Sequence, residues 1–419
     1  MGIVEKAKEI AEIIKKKRYI AVIAHADADG VAGAAIAKLF LEENEIEHEI
    51  KFTNHIEEEL LNEYRGNDIL FVDLGNSSID AILNHRINAI IVDHHFSNDF
   101  FPNSLNPFHY GIDGGEEISA SGLMYLIAKK HADIALIGAA GDLQDRKGFI
   151  GLNGYILKNS NVVERNDIRL YGRNLPLPRM LSFSPLIPPF FKNFGMSVRF
   201  LKNIGIDTKK SWNELNREEK KALLSSMVKM MAKLGYEKDD IMQIYGKVYE
   251  LNGYDLREIA AGINSMAKYE KYEEAIHACI NGDYNKMKKF MVAHRKNIKD
   301  GIKIAKQNLN ERSKIKYFIA GKKIKDTILG TITGMLLEGE RIEKPLVGMV
   351  ENGNGIKISV RAPKNMNINL SIAIARAAIA AGGDGGGHKM AAGAMIPKGS
   401  EEEFLKFFEA EIANQSPSL

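Results

Sequence analysis

Aspartate and histidine residues close four short apolar runs in the first third of the chain, and both residue types can bind metal ions. They stand in the segments "HADADG", "VDLG", "VDHH" and "GDLQD": His25, Asp27 and Asp29; Asp73; Asp93, His94 and His95; and Asp142. One aspartate after a strand often caps the next helix, and one histidine is usually structural. Six to eight such groups brought together would repel one another and lose solvation, and bound cations would relieve that cost.

The types of ligand narrow the choice of metal. Mixed imidazole and carboxylate groups suit manganese, with magnesium or zinc as alternatives. The segments contain no cysteine, which argues against a structural zinc site. Six groups are too many for one ion with open positions, but they suit two ions about 3.5–4 Å apart that share a carboxylate. The chemistry that most often uses this arrangement is hydrolysis of phosphoesters.

The apolar runs predict the elements that position these residues. Each is short and nearly continuous, as in strands buried on both faces of a parallel sheet: "RYIAVIAH" (18–25), "DILFVDLG" (68–75), "INAIIVDHH" (87–95) and "ADIALIGAAGD" (132–142). Helical patterns separate them, "GVAGAAIAKLFLEE" after the first run and "SASGLMYLIAKK" before the fourth. This order predicts a doubly wound α/β domain. Because ligands bind at the carboxyl ends of parallel strands, the four groups are expected to converge.

The middle of the chain carries weaker signals. Five prolines in residues 174–191 disfavour a regular helix or a central strand, and we interpret this passage as an ordered connection. The part from about 196 to 313 is predicted to be mostly helical. Residues 286–316 contain eleven Lys or Arg, and this run is either a solvated helix face or a contact for nucleic acid.

The last part returns to strands. The runs "KYFIAG", "KPLVGMVEN" and "GIKISVRAP" are predicted strands, and two Asn-Gly pairs at 352–355 predict a hairpin. A predicted helix, "INLSIAIARAAIAA", follows, and then a glycine cluster, "GGDGGGHKMAAGA", at 382–394.

Composition bounds the class of protein. The 419 residues allow two or three domains, and the single cysteine, Cys279, excludes an internal disulfide framework and fits a reducing cytoplasm. A net charge of +3 does not by itself indicate a nucleic-acid partner. The first 17 residues lack the apolar core of a signal peptide, and no run reaches the length of a membrane span. We therefore expect a cytoplasmic protein without a membrane partner.

The four segments, in this order and at these spacings, resemble the motifs of the DHH phosphoesterase superfamily. The segment "GGGHKMAAGA" resembles the glycine-rich motif of the DHH-associated C-terminal domain. A first motif written His-x-Asp-x-Asp, the connection "YGRNLPLPRMLSFSP" and the segment "LREIAAGINSMAKY" resemble archaeal RecJ-like single-strand-specific exonucleases. The resemblance spans residues 18–395 and is looser in the helical middle.

The resemblance implies roles for the candidate residues and a mechanism with two divalent metal ions. One ion is expected on His25 and Asp27, the other on Asp29, His94 and Asp142, with Asp73 as the bridge. Asp93 would orient the neighbouring histidine by a hydrogen bond, and His95 would contact the scissile phosphate. Manganese is the expected metal, magnesium is the alternative, and the nucleophile would be water activated by metal.

The glycine cluster adds candidate substrate-binding residues. Gly383 and its neighbours Gly385, Gly386 and Gly387 let the backbone come close to a ligand, and their N–H groups suit an anion. Side chains of Arg361 and His388 would add contacts to phosphate. The alternative is a glycine-rich turn with a structural histidine.

The resemblance also implies a domain plan: a DHH catalytic domain at 1–190, a helical insert and linker at 191–313, and a smaller α/β substrate-binding domain at 314–419. The active site is expected in the cleft between the two outer domains.

The expected function is a metal-dependent exonuclease on single-stranded DNA, RNA or both, in DNA replication or repair or in RNA turnover. The helical insert and the basic run favour a polynucleotide substrate. Two alternatives stay open. One is a phosphodiesterase for short oligonucleotides or cyclic dinucleotides. The other is a replisome scaffold that binds a helicase or the GINS complex, which the complete set of metal positions disfavours.

Overall fold

The structure is a computed structural model that describes residues 2–183, 193–353, 355–363 and 366–415. The chain divides into two compact units, Met1–Phe290 and Met291–Leu419. Within the described residues, no helix is both long enough and apolar enough to cross a membrane.

A parallel sheet forms the centre of the first unit. Its strands in the described ranges are β1 (Tyr19–His25), β2 (Glu47–Thr53), β3 (Asp68–Val72), β4 (Asn88–Val92) and β5 (Ser104–Leu105). Their order is β2-β1-β3-β4-β5, and all neighbours are parallel. The predicted strands β1, β3 and β4 are confirmed, and their apolar residues are buried because helices cover both faces of the sheet. The edge strand β2, "EHEIKFT", is polar and half-exposed, so a search for apolar runs misses it.

Helices surround this sheet. In the first 158 residues they are α1 (Ile3–Lys15), α2 (Ala28–Glu43), α3 (Glu58–Glu63), α4 (Ile79–Asn84), α5 (Ala120–Ala128), α6 (Ala132–Gly141) and α7 (Gly151–Lys158). Helix α2 lies against the sheet so closely that a Cβ on Gly33 would be 2.5 Å from Cγ1 of Val72. The predicted helices α2 and α5 are confirmed.

The prediction of a fourth strand at 132–142 is wrong, because this run is helix α6. A helix buried on every side loses its amphipathic period, and its sequence then reads like a buried strand. The length of the run and its alanines favour a helix. Asp142 therefore follows a helix and not a strand.

The middle of the chain combines helices with a small antiparallel sheet. Its elements are β6 (Val163–Ile168), α8 (Leu177–Phe183), α9 (Phe194–Asn203), α10 (Arg217–Lys233), α11 (Lys238–Met242), β7 (Tyr245–Leu251), β8 (Tyr254–Asp255), α12 (Leu256–Ala267), α13 (Tyr272–Asn281) and α14 (Tyr284–Gln307). The strand order is β6-β7-β8. The prediction of a mostly helical region is correct for the helices but missed this sheet.

The expectation of no regular helix in the proline-rich passage is wrong for its first half, which contains α8. Pro178 lies in the first turn of α8, where a backbone N–H has no partner within the helix, so proline is tolerated. The rest of the passage, 184–191, lies outside the described residues.

The second unit has its own mixed sheet. Its elements are β9 (Leu309–Glu311), β10 (Lys316–Ile319), α15 (Leu329–Gly339), β11 (Leu346–Asn352), β12 (Gly355–Arg361), α16 (Leu370–Ala380), β13 (Asp384–Gly387), β14 (Ala391–Ile396) and α17 (Glu401–Gln415). The order is β13-β14-β12-β11-β10-β9 among the described strands. The predicted hairpin is confirmed, since β11 and β12 pair antiparallel up to Asn352 and Gly355.

Within the glycine cluster, Asp384–Gly387 form the edge strand β13, and Ala391 begins β14. A Cβ on Gly385 would lie 2.8 Å from the Cβ of Ala394, so packing against β14 requires this glycine. A Cβ on Gly386 would meet nothing within 4 Å, which leaves that side of the edge open. An edge strand presents backbone N–H groups that its sheet does not pair.

Candidate metal centre

The turn from β1 to α2 carries the first three candidate ligands. Nδ1 of His25, at the end of β1, lies 2.8 Å from Oδ2 of Asp27. Asp27 is the N-cap of α2, and its Oδ1 accepts a hydrogen bond from the N–H of Gly30 at 3.0 Å. A Cβ on Gly30 would be 2.2 Å from the carbonyl oxygen of His25, so glycine permits this abrupt start of the helix. Asp29 follows in the first helical turn.

Asp73 lies between the other ligands. It follows β3 with a φ of +62°, a left-handed conformation that aspartate tolerates better than most residues. Its Oδ2 lies 3.3 Å from Nδ1 of His25, and its Oδ1 lies 3.3 Å from Nε2 of His94. The buried Asp73 carboxylate therefore reaches histidines from two different strand ends, as a bridging ligand must.

A backbone carbonyl sets the tautomer of His94. The carbonyl oxygen of Gly114 lies 2.6 Å from Nδ1 of His94 and accepts its proton, which leaves Nε2 facing the carboxylates. Nε2 lies 3.3 Å from Asp142 and 3.9 Å from Asp29, in addition to Asp73. The sequence prediction that His94 and Asp142 converge holds although Asp142 follows a helix.

The N-terminus of α5 compensates the charge of Asp29, whose side chain is fully buried. Oδ2 accepts a hydrogen bond from the N–H of Ala120 at 2.7 Å, and Oδ1 accepts one from the N–H of Ser121 at 3.1 Å. The Ser121 hydroxyl also donates to Oδ1. Helix N-terminal N–H groups stabilise a carboxylate, so a buried anion can be held there without a paired cation.

Asp93 holds His95 and not His94. Its Oδ1 accepts hydrogen bonds from Nδ1 of His95 at 2.7 Å and from the backbone N–H of His95 at 3.1 Å. Its Oδ2 accepts one from the N–H of Asn76 at 3.0 Å. The His95 side chain is 59% exposed. The neighbouring histidine that Asp93 orients is thus the one with access to a ligand.

Three overlapping groups could each hold a metal ion, with ligand atoms within 4.8 Å of one another. They are His25, Asp27 and Asp73; Asp29, His94 and Asp142; and Asp73, His94 and His95. In the described part of the chain, Asp73 Oδ1 and Asp142 Oδ2 are buried and accept no hydrogen bond. Orphaned buried carboxylate oxygens are costly, and divalent cations fit this donor set.

Electrostatics in the cluster favour protons when no cation is bound. Burial raises the pKa of Asp73 to about 6, and the charge of Asp27 adds to this effect. Burial and the charge of Asp29 hold the pKa of Asp142 well above its ordinary value. Burial alone would lower the pKa of His25, but Asp27 and Asp73 outweigh it and raise that pKa to about 10. A cation would have to displace such protons.

The second unit holds the other candidates. The register of the sheet places Arg361 opposite Ala391 on β14. The Ala391 carbonyl accepts a hydrogen bond from the N–H of His388 at 2.8 Å, so Arg361 and His388 lie at the same end of the sheet. The Arg361 guanidinium donates to the Val360 carbonyl at 2.9 Å, and burial lowers its pKa.

Four residues of the centre escaped the analysis of the sequence. Asn76 follows "VDLG", and its Nδ2 donates to the backbone carbonyls of Asp93 at 3.2 Å and His95 at 3.1 Å. Gly114 accepts the hydrogen bond of His94 with its carbonyl oxygen, and Gln144 donates from Nε2 to the same oxygen at 2.9 Å. Ser121 holds Asp29 with both its N–H and its hydroxyl. Gln144 stands inside the motif "GDLQD", which was the available signal. Gly114 and Ser121 gave none.

Three family models match the chain in sequence. The DHH family N-terminal domain matches residues 19–142, the DHH-CID domain matches 170–245 and the DHHA1 domain matches 313–414. These ranges contain the metal-capable cluster and the Arg361–His388 end of the second sheet.

Relatives cover the whole chain. The uncharacterized protein MJ0831 of Methanocaldococcus jannaschii is 30% identical over 447 residues, which cover 98% of this chain and 99% of that protein. The crystal structure of CDC45 from Entamoeba histolytica is similar, with a TM-score of 0.69 at 14% identity over 98% of this chain and 99% of the other. Exonuclease RecJ bound to manganese gives 0.60 at 17% identity, over 99% of this chain and 94% of that chain. The chain belongs to the DHH phosphoesterase superfamily and has a RecJ-like fold.

Proposed function

We propose that this protein is a metal-dependent exonuclease that hydrolyses phosphodiester bonds of single-stranded DNA, RNA or both. The convergence of six candidate ligands, one of them a buried carboxylate that lies between the others, carries the proposal. They are His25, Asp27, Asp29, Asp73, His94 and Asp142. His25 lies near one carboxylate oxygen of Asp73 and His94 lies near the other, an arrangement that suits two divalent ions, manganese or magnesium.

In this proposal the chain fixes the ligands before substrate arrives. The Gly114 carbonyl fixes the His94 tautomer, and N–H groups at the N-terminus of α5 hold the Asp29 carboxyl group by hydrogen bonds. Bound divalent ions would neutralise charge on the phosphate oxygens and lower the pKa of water, which serves as the nucleophile.

His95 would contact the scissile phosphate. The Asp93 carboxylate accepts the hydrogen bond from Nδ1 of His95 and raises the pKa of His95, although burial opposes this effect. Because Asp93 occupies Nδ1, the other ring nitrogen is left to donate to a phosphate oxygen. A donor that is fixed before the reaction stabilises the charge that develops in the transition state.

A basic stripe on α14 supports a polynucleotide substrate. Lys289, Lys296, Lys299 and Lys303 are exposed, and their spacing places them on one helix face. Spaced lysines suit the regularly spaced phosphates of a strand. Arg361, His388 and the glycines Gly385, Gly386 and Gly387 would bind a further phosphate. Entry of the nucleic-acid strand into a cleft between two domains remains a prediction from the family resemblance.

A second candidate function is binding to replication proteins alongside catalysis. The likeness in fold to CDC45 favours it. Co-purification with a helicase or the GINS complex from cell extract would support it, and a metal-site variant should bind as well as the unaltered protein.

One nuclease assay tests the main proposal. DNA and RNA 20-mers labelled at either end would be incubated with manganese or with magnesium, beside dinucleotides as short substrates. We expect stepwise release of mononucleotides from single strands, and Asp29→Ala should abolish it. Full activity of Asp29→Ala would contradict the metal assignment, and turnover of dinucleotides alone would favour the small-substrate alternative.

A further inference from the structure

An aromatic side chain is exposed directly beside the metal-capable cluster. Phe96 follows His95 in the chain, so their Cα atoms are about 3.8 Å apart, and Phe96 is 68% exposed. Single exposed apolar residues are common on protein surfaces. Phe96 differs from such residues because it lies next to His95 and because hydrogen bonds fix the peptide that precedes it.

Two asparagines fix the backbone that carries Phe96. The carbonyl oxygen of His95, in the peptide bond to Phe96, accepts hydrogen bonds from Nδ2 of Asn76 at 3.1 Å and from Nδ2 of Asn106 at 2.9 Å. Asn106 is fully buried, and its Oδ1 accepts a hydrogen bond from the N–H of Phe108 at 2.9 Å. One buried side chain therefore positions both the His95–Phe96 peptide and the backbone of Phe108.

Phe108 supports the Phe96 ring without covering it. The ring centroids are 5.3 Å apart and the ring planes are at 80°, an edge-to-face contact. Phe108 also packs on the backbone that holds His94, because a Cβ on Gly114 would lie 2.9 Å from its Cε2. The aromatic pair is thus tied to the metal-capable cluster, and Phe96 keeps most of its surface open to solvent.

We propose that Phe96 stacks on a nucleobase next to the scissile phosphate, with Asn106 as a positioning residue. The inference rests on the proposed nuclease function, in which His95 contacts that phosphate. Stacking on an aromatic ring tolerates every base because each base has a π face, so it suits an exonuclease without sequence preference. It requires an unstacked base, which a single strand offers and an intact duplex does not. Phe96 would therefore contribute to selection of single strands.

The test combines a protein variant with a missing base. Phe96→Ala and the unaltered protein would be compared on a normal single strand and on strands with one abasic nucleotide at each of the first three positions. Stacking is worth about 5- to 150-fold, so Phe96→Ala should lower kcat/KM on the normal strand by a factor in this range. At one position, the abasic nucleotide should lower kcat/KM of the unaltered protein by a similar factor. At that position it should not lower kcat/KM of Phe96→Ala further, because the contact between ring and base is already lost in this variant.

Phe100→Ala is the matched control, because Phe100 lies four residues further along the same segment and is 71% exposed. Its kcat/KM should stay unchanged, and Phe96→Trp should keep activity on the normal strand. Equal losses in both alanine variants, or abasic losses that multiply with Phe96→Ala at every position, would overturn the inference. A protein that cleaves no strand at all would overturn the proposed function instead, which separates the two failures.

Discussion

Hydrogen bonds to single ring nitrogens decide what the two adjacent histidines can do. His94 donates from Nδ1 to a carbonyl and turns Nε2 toward carboxylates, whereas His95 donates from Nδ1 to Asp93 and is exposed. Neighbours in sequence therefore differ in role because different groups hold their rings.

His94→Ala and His95→Ala should separate these roles. His94→Ala should weaken metal binding by more than about tenfold. Mutation of a residue that only hydrogen-bonds a metal ligand already costs about that much, and His94 is a candidate ligand itself. His95→Ala should keep its metals and lose about 10²–10³-fold in kcat, as when one transition-state donor is removed. Metal content and kcat would be measured for both variants, with His277→Ala as the control because His277 is exposed. Equal metal loss in both variants would show that the division is wrong.

The protons held by the cluster make metal binding depend on pH. His25 keeps its proton up to a pKa of about 10 without metal, and its neutral form is the ligand. Apparent affinity should therefore rise between pH 6 and pH 9, by about tenfold per unit for each proton displaced. A raised histidine pKa stabilises the metal-free fold below the unfolded pKa of about 6.5, and this stability is lost as pH rises toward 10.

Calorimetric titration with manganese in buffers of different ionisation enthalpy would count the released protons. The thermal shift caused by manganese should grow over the same pH range. An affinity independent of pH would contradict protonation of the metal-free ligands.

At the scale of elements, close contacts between helices hold the ligands. Asp29 is on α2, its donors are on α5, and α6 packs against both, so the position of one carboxylate depends on three helices. Gly138 on α6 permits this approach, because a Cβ there would lie 2.1 Å from Oγ of Ser121 and 2.2 Å from Oδ1 of Asp29.

Gly138→Ala should displace Asp29 and reduce both stability and metal binding. The overpacking should cost about 1–3 kcal/mol of unfolding free energy, and metal affinity should fall in parallel. Gly339→Ala, at the end of α15, is the control because its Cβ would meet nothing within 4 Å. Denaturant unfolding and metal titration measure both effects. Unchanged metal affinity in Gly138→Ala would show that the helix contact does not position Asp29.

At the scale of the whole molecule, the chain divides into two units within a single helix. Helix α14 includes Phe290 and Met291, the residues on either side of the division. The basic stripe lies on this helix, and none of its four lysines belongs to the metal-capable cluster. Charge on α14 is therefore expected to serve the binding of the strand and not the chemical step.

Reversal of three charges on the stripe tests this role. Lys296, Lys299 and Lys303, each changed to Glu, should weaken single-strand binding and reduce the slope of log affinity against log salt by about 2, at about 0.7 per lost phosphate contact. Hydrolysis of a dinucleotide, if measurable, should change less than that of a 20-mer.

The matched control reverses three exposed lysines on α10: Lys221, Lys229 and Lys233. This control variant has the same net charge as the α14 variant. An equal loss of single-strand binding in both would mean that the overall charge of the protein, and not the stripe, attracts the strand.

The sequence by itself determined the types of ligand, their order and most of the sheet that carries them. Strands β1, β3 and β4 could be predicted because burial on both faces leaves a continuous apolar run, and the ligands stop each run. The hairpin of the second unit could be predicted because Asn-Gly is required by local backbone geometry. These are properties of neighbouring residues, so they are visible in the chain.

Only the tertiary structure decided how the ligands are held. The fourth run is a helix, because complete burial erases the period that separates helix from strand. Asp29 takes its donors from residues 91 and 92 positions away, and His94 takes its acceptor from 20 positions away. In each of these bonds the partner of the side chain is a backbone group, which every residue possesses. Their pairing follows from packing in three dimensions and leaves no mark on residue type.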